Sequence, residues 1–167
     1  MAAAHALLEG EYRDRTEIAL ESKTLINGLG IEPSECYRAS DHIAVFDASS
    51  DVASRSPDFK ALAELDLRGV IVTAAGESED FVSRFFAPKF GIDEDPVTGS
   101  AHCTLAPDWA DKLGKDILAA TQVSKRTGLL ICKVADDREF ISGRTVDYLE
   151  GQIEIEDVYR PGSPGRR

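Results

Sequence analysis

The residue types best suited to chemistry lie together in Asp93-Glu94-Asp95-Pro96-Val97-Thr98-Gly99-Ser100-Ala101-His102-Cys103. Pro96 disfavours helical backbone at Asp95 and pushes that acid toward extended chain. Just beyond it, Thr98 or Ser100 can cap a helix that begins in Gly99-Ser100-Ala101. An acid is thereby aimed at a helix start, where unpaired N–H groups and the dipole act as roughly half a positive charge. Such a start suits a substrate carboxylate or an enolate oxygen, and Gly99 would let that anion come close to the backbone. Acids ahead of a capped helix are also ordinary stabilising features, each worth about 0.3 to 1 kcal/mol. The pattern alone leaves both readings open.

The helix itself is expected over Ser100 to Lys112, with a kink or break at Pro107, which lacks an N–H and clashes with the preceding turn. His102 and Cys103 fall in its first turn. A thiol there could be activated by the dipole, but Cys103, Leu105 and Ala106 together read as the apolar face of a core helix, and that reading carries more weight. The three cysteines, Cys36, Cys103 and Cys132, are odd in number and widely spaced, which fits reduced, buried thiols. His5, His42 and His102 lack metal-ligand spacing, and neither a phosphate-cradling glycine loop nor a Ser-His-Asp arrangement can be placed. No metal, nucleotide or other cofactor is assigned. Arg84 could meet an anion from a strand, although an arginine on a half-exposed strand is more often a salt-bridged surface residue.

The elements that must position these residues follow from periodicity and punctuation. Thr16 to Ser22 alternates like a half-buried strand, Thr24 to Gly30 reads as a short helix ended by Gly28 or Gly30, and His42 to Asp47 reads as a strand. Ser56-Pro57-Asp58 supplies an N-cap, a first-position proline and an early acid for a helix carrying Phe59, Leu62, Ala63 and Leu65. Val70 to Ala74 and Phe81 to Ala87 are apolar runs able to pair as a hairpin across Gly76. Leu129 to Val134, Glu139 to Ser142, Arg144 to Leu149 and Gln152 to Ile155 read as an antiparallel meander broken at Asp136-Asp137, Gly143 and Gly151. Pro161 to Arg167 cannot build a core or a ladder and is expected to be a mobile tail.

Composition narrows the classes of function. At 167 residues with 43% hydrophobic content the chain can bury a core of its own. A formal net charge of -11 argues against nucleic acid, whose binding depends on clustered lysine and arginine. Met1 to Leu8 is apolar but short, with Glu9 and Glu11 behind it, and no later window approaches the roughly 20 apolar residues of a membrane-spanning helix. A soluble, cytoplasmic protein is expected, with no membrane partner.

Beyond these physical readings, Phe81-Val82-Ser83-Arg84-Phe85-Phe86-Ala87-Pro88, followed by Gly91 to Cys103, closely resembles the PhzF-like isomerases of the phenazine biosynthesis family. The likeness continues through Leu113-Gly114-Lys115, Ser142-Gly143-Arg144 and Tyr148-Leu149-Glu150-Gly151, covering most of residues 25–155. The resemblance implies an α+β, diaminopimelate-epimerase-like fold, in which two similar halves each wrap a mostly antiparallel sheet around a central helix. It places the active cleft between the halves. It further implies that an acidic residue of the first half shuttles a proton on a small carboxylic acid, without metal or organic cofactor. The second half would supply Asp95, which assists proton transfer or holds its partner groups, and Ser100, which binds the substrate carboxylate with the backbone of Gly99 to Ala101.

Departures from the family pattern shape what to expect. Ala2 to Leu8 resembles the end of the family's first-half segment Gly-His-Ala-Thr, so Met1 falls just after the site histidine, and the catalytic glutamate further upstream has no counterpart. Residues 1–23 are therefore read as a remnant of the first half, 24–155 as a second-half domain and 156–167 as a tail, a truncated arrangement. Asp108 stands where the family usually has an aromatic residue, and Thr127 where glycine is common. Two functional expectations follow. One is a biosynthetic isomerase half that works with a complementing first-half subunit or as a homodimer, the latter bringing two Asp95-to-Ser100 helix starts face to face. The other is a non-catalytic domain that binds small acids or associates with another subunit.

Overall fold

The structure is a computed structural model and describes residues 3–9, 16–17, 23–136, 138–144 and 149–152, with the first two segments described by backbone alone. The expected strands Arg144 to Leu149 and Gln152 to Ile155, most of Thr16 to Ser22 and the tail lie largely outside the described residues.

Ten strands form one sheet: β1 (Ala3–Glu9), β2 (Thr16–Glu17), β3 (Glu35–Arg38), β4 (His42–Phe46), β5 (Val70–Ala75), β6 (Phe81–Ala87), β7 (Ile92–Asp95), β8 (Ile117–Gln122), β9 (Gly128–Ala135) and β10 (Arg138–Arg144). Their order is β1-β10-β9-β8-β6-β5-β4-β3-β2, with β7 added to β6. The β5/β6 hairpin forms, and so does the β9/β10 arm of the meander. Most neighbours are antiparallel, but β4 runs parallel to β5, and β6 parallel to β8. Among the described residues four α-helices complete the mixed α+β fold: α1 (Lys23–Leu29), α2 (Ser49–Ala53), α3 (Phe59–Ala63) and α4 (Gly99–Leu113).

Strand alternation divides the core in two. Ile43, Val45, Ile71, Phe81 and Phe85 point to the face that holds α4, where they meet Ala101, Cys103, Leu105 and Trp109; Leu118, Leu130, Cys132 and Ile141 extend that cluster across β8 to β10. Their intervening neighbours Ala44, Phe46, Val70, Val72, Val82 and Phe86 point the other way, against Leu25, Leu29, Val52 and Leu62 of α1 to α3. Beneath α4, Trp109 stacks on Phe81 at 5.7 Å between ring centroids and donates its indole N–H to Thr73 Oγ1 at 3.0 Å.

Several local expectations are corrected. The helix α4 does not break at Pro107 but runs continuously from Gly99 to Leu113. Proline removes one backbone hydrogen bond, and the burial of Leu105, Ala106, Trp109 and Ala110 on both sides of it holds the next turn in place. For α3 the cap is Asp58, whose Oδ1 accepts from Lys60 N at 3.0 Å and Ala61 N at 3.2 Å, so Ser56 and Pro57 precede the helix. Thr127 has φ of 53°, a left-handed backbone that suits glycine and strains a β-branched residue.

Candidate functional site

The site is built where β7 turns into α4. Asp95 ends β7, Pro96 and Val97 turn the chain, and Thr98 occupies the N-cap position with extended backbone. Gln122, fully buried at the end of β8, fastens this turn. Its Oε1 accepts from Thr98 N at 2.8 Å, and its Nε2 donates to Asp95 O at 2.7 Å. Ser124 donates to Pro96 O at 2.7 Å. The parallel pairing of β6 with β8 delivers Gln122 opposite Ser83, and thus close to the helix start.

Thr98 stands at the cap position, but its hydroxyl does not cap. It donates instead to Asp95 Oδ2 at 2.5 Å and makes no cap bond to the first helical N–H groups. The expectation that Thr98 or Ser100 caps α4 is corrected accordingly. The N–H groups of Gly99, Ser100 and Ala101, which have no intrahelical partner in any α-helix, remain at the site. Gly99 and Ser100 are half-buried, and Ala101 is buried.

Two residues missed in the sequence complete the surroundings. Asp41 precedes β4 and Arg68 precedes β5; because these strands run parallel, the two positions come side by side. Arg68 grips the buried Asp41 carboxylate through Nε at 3.0 Å and Nη2 at 2.5 Å, and Nη2 also donates to Ser100 Oγ at 3.1 Å. The guanidinium lies 5.4 Å from the centroid of the Phe85 ring. Gly69 makes that stacking possible, since a Cβ there would stand 2.6 Å from Phe85 Cζ and 2.7 Å from Phe86 O. An acid and an arginine placed just ahead of two successive apolar strands was the signal available in the sequence.

Arg84 is corrected from half-exposed to buried. It makes a two-point pair with Glu94, at 2.6 and 3.0 Å, and its Nη1 donates to Val52 O and Arg55 O. It sits on the α2 side of the sheet, away from α4, because it shares the parity of Val82 and Phe86 on β6. Its role is therefore structural.

His102 is fully buried beneath the site. Its Nδ1 is 2.8 Å from Thr98 O, an obligate acceptor, so Nδ1 carries the proton and Nε2 accepts from Ser83 Oγ at 3.3 Å. Burial lowers its pKa, with the Thr98 carbonyl opposing. His42 is lowered by burial as well, against the opposing Asp66 carboxylate. Both lowered values favour the neutral ring in the folded state. The unfolded chain therefore takes up protons that the folded chain resists, and stability is complete above the unfolded histidine pKa of about 6.5 and declines as pH falls toward the lowered folded values. Thermal midpoints should drop between pH 7 and pH 5.5, and His102→Asn, which retains a donor toward Thr98 O, should flatten that dependence. An unchanged slope would show that His102 is not one of the groups responsible.

Cys36, Cys103 and Cys132 are free and buried, as expected. Burial pushes Cys36 up to about 11 and the other two to about 12, so the Cys103 thiol is not activated, and with α4 starting at Gly99 it lies just past the first turn. Among the described residues no group of three His, Cys, Asp or Glu side chains converges as metal ligands, and no helix is long and apolar enough to cross a membrane.

With this geometry in view, the sequence matches the family described as phenazine biosynthesis-like protein, PhzC-PhzF, over residues 7–151. The chain belongs to this PhzF-like family. A Pseudomonas aeruginosa protein described as an uncharacterized isomerase is 48% identical over 132 residues, 78% of this chain and 51% of that protein. A Halalkalibacterium halodurans protein, also described as an uncharacterized isomerase, is 43% identical over 132 residues, 77% of this chain and 50% of that one. The crystal structure of a PhzF-family protein from Enterococcus faecalis superposes with TM-score 0.78 at 42% identity, covering 84% of this chain and 54% of that chain. A Clostridium difficile protein described as a putative phenazine biosynthesis PhzC/PhzF protein gives TM-score 0.80 at 37% identity, covering 92% and 58%. The PhzF-like chain thus spans about half the length of the curated relatives it matches.

The structure brings Asp95, Gly99, Ser100 and Ala101 to one turn, and adds Arg68, Asp41 and Gln122 to them.

Proposed function

We propose that this chain forms one half of a PhzF-like isomerase that moves a proton on a small carboxylic acid without a metal or organic cofactor. In this reading the sheet and α4 constitute a diaminopimelate-epimerase-like half within residues 24–155, with the sheet wrapped around α4. The carboxylate binds at the N–H groups of Gly99, Ser100 and Ala101 and at the Ser100 hydroxyl, and Asp95 assists the proton transfer or holds its partner groups. The observation that carries the reading is the uncapped start of α4. A natural N-cap threonine usually satisfies one of the first N–H groups, whereas the Thr98 hydroxyl donates to Asp95, accepts from Gln122 and makes no cap bond, which leaves those N–H groups available to a ligand. The proton-shuttling acid and the opposite wall of the cleft then come from a complementing first-half subunit or from a second copy of the chain. Losing a general acid or base typically costs about 10² to 10⁴ in rate, so these residues alone should be poorly active.

A second reading, a non-catalytic domain that binds small acids or associates with another subunit, draws on a different observation. Phe90, Ile92 and Val97, on the approach to α4, are exposed apolar side chains, with Phe90 65% exposed. They fit a subunit contact as well as the rim of a cleft.

A thermal-shift titration with small carboxylic acids tests both, because a ligand bound to the folded state raises its melting temperature. A saturable shift in the natural chain that Ser100→Ala weakens, the backbone N–H groups holding what remains, is expected. Asp95→Asn should retain binding of the acid and lose proton exchange into it when the complementing half is supplied. A cooperatively melting chain that responds to no acid would favour the association role.

A further inference from the structure

Arg68 touches Ser100 from a direction that helix stability does not favour, since a cation beside a helix start opposes the dipole. Three contacts nevertheless fix it there. The Asp41 carboxylate is 2% exposed and bonded by two guanidinium nitrogens, and the guanidinium carbon stands over the Phe85 ring. Nη2 has two hydrogens, of which one serves Asp41 and the other Ser100 Oγ. An Oγ that accepts from Arg68 must direct its own proton elsewhere. The hydroxyl is thereby set as a donor, beside the first N–H groups of α4.

We propose that Arg68, anchored by Asp41, is a positioning residue of the anion half-site: it orients the Ser100 hydroxyl to donate to a bound carboxylate. This rests on the reading of the α4 start as a carboxylate site. The role depends on the fork geometry of a guanidinium held by a carboxylate, which an ammonium cannot reproduce. Asp41 contributes through Arg68, and Arg68 through Ser100.

The test is a double-mutant cycle on the full chain, with Kd for benzoate and succinate measured calorimetrically at constant ionic strength. Arg68→Lys keeps the charge and loses the fork, and should weaken benzoate by about tenfold, the scale of one hydrogen bond involving a charged group. In a Ser100→Ala background the same change should have no further effect, because its target is gone. Asp41→Asn serves as the second variant and should show the same dependence on Ser100. A merely structural role for Arg68 would lower the melting temperature without this coupling. Additive losses, or full binding by Arg68→Lys, would overturn the proposal while leaving the carboxylate site standing. A natural chain that binds neither acid would overturn both.

Discussion

Arg84→Ala should destabilise the folded chain by about 3 to 5 kcal/mol, the usual result of removing one partner from a buried ion pair. The side chain is the one charge on β6 and is buried, and its loss would strand three groups at once. Glu94, 20% exposed, would lose both of its guanidinium contacts. The carbonyls of Val52 and Arg55 would lose a donor at the end of α2, where intrahelical partners are scarce. The aliphatic stem and guanidinium also cover Phe86, 4.9 Å from its ring centroid to the cation. Arg84→Lys restores a charge but cannot meet a carboxylate and two carbonyls together, so it should recover only part of the loss. Urea unfolding monitored through Trp109 measures both, and a change below about 1 kcal/mol would place Arg84 among ordinary surface pairs. Because Arg84 faces away from α4, whatever fraction remains folded should bind carboxylates normally.

Gln122→Ala should have the second largest effect and a different character. It leaves Thr98 N–H and Asp95 C=O without the partner that now satisfies both, at about 1 to 3 kcal/mol for each buried group. Gln122→Glu tests the direction of these bonds. A carboxylate can still accept from Thr98 N–H but cannot donate to Asp95 C=O, so isosteric replacement should fail as well. Amide exchange at Thr98 should rise in both variants, and carboxylate binding should weaken through the loosened turn rather than through any lost contact with the acid. Unaltered protection of Thr98 would show that Ser124 and the Thr98–Asp95 bond hold the turn without Gln122.

The elements legible in the sequence are those whose periodicity coincides with one buried face. Val70 to Ala74, Phe81 to Ala87 and the helix after Gly99 all announce themselves by apolar runs or spacing, and the structure places strands and α4 there. Strand β7, Ile-Asp-Glu-Asp, does not, because it is acidic, largely exposed and held by pairing with β6. Strand β8 carries a polar end, Thr121-Gln122, that is buried for hydrogen bonding rather than for packing, and periodicity is blind to that purpose. Arg84 reads as half-exposed only if β6 has an outward face; α4 covers one side of the strand and α2 and α3 the other, so its one charge is paired inside. At the site, the local segment Asp95 to Ala101 could be read directly. Asp41, Arg68 and Gln122 could not, since each arrives through strand pairing across a long stretch of sequence.

Strand β1, near the beginning, has β10, near the end, as its strand neighbour, in register from Ala3 opposite Arg144 to Glu9 opposite Arg138. On a ribosome the first of these strands is made long before the second exists. The ordering entropy of so long a closure grows only slowly with length, but contacts this distant are associated with slow folding. Until β10 is made, β1 lacks the neighbour it has among the described residues, and a strand edge left open invites pairing between molecules. The pairing of β1 with β10 is thus a late event in biosynthesis, with an interval in which chaperone capture competes with aggregation.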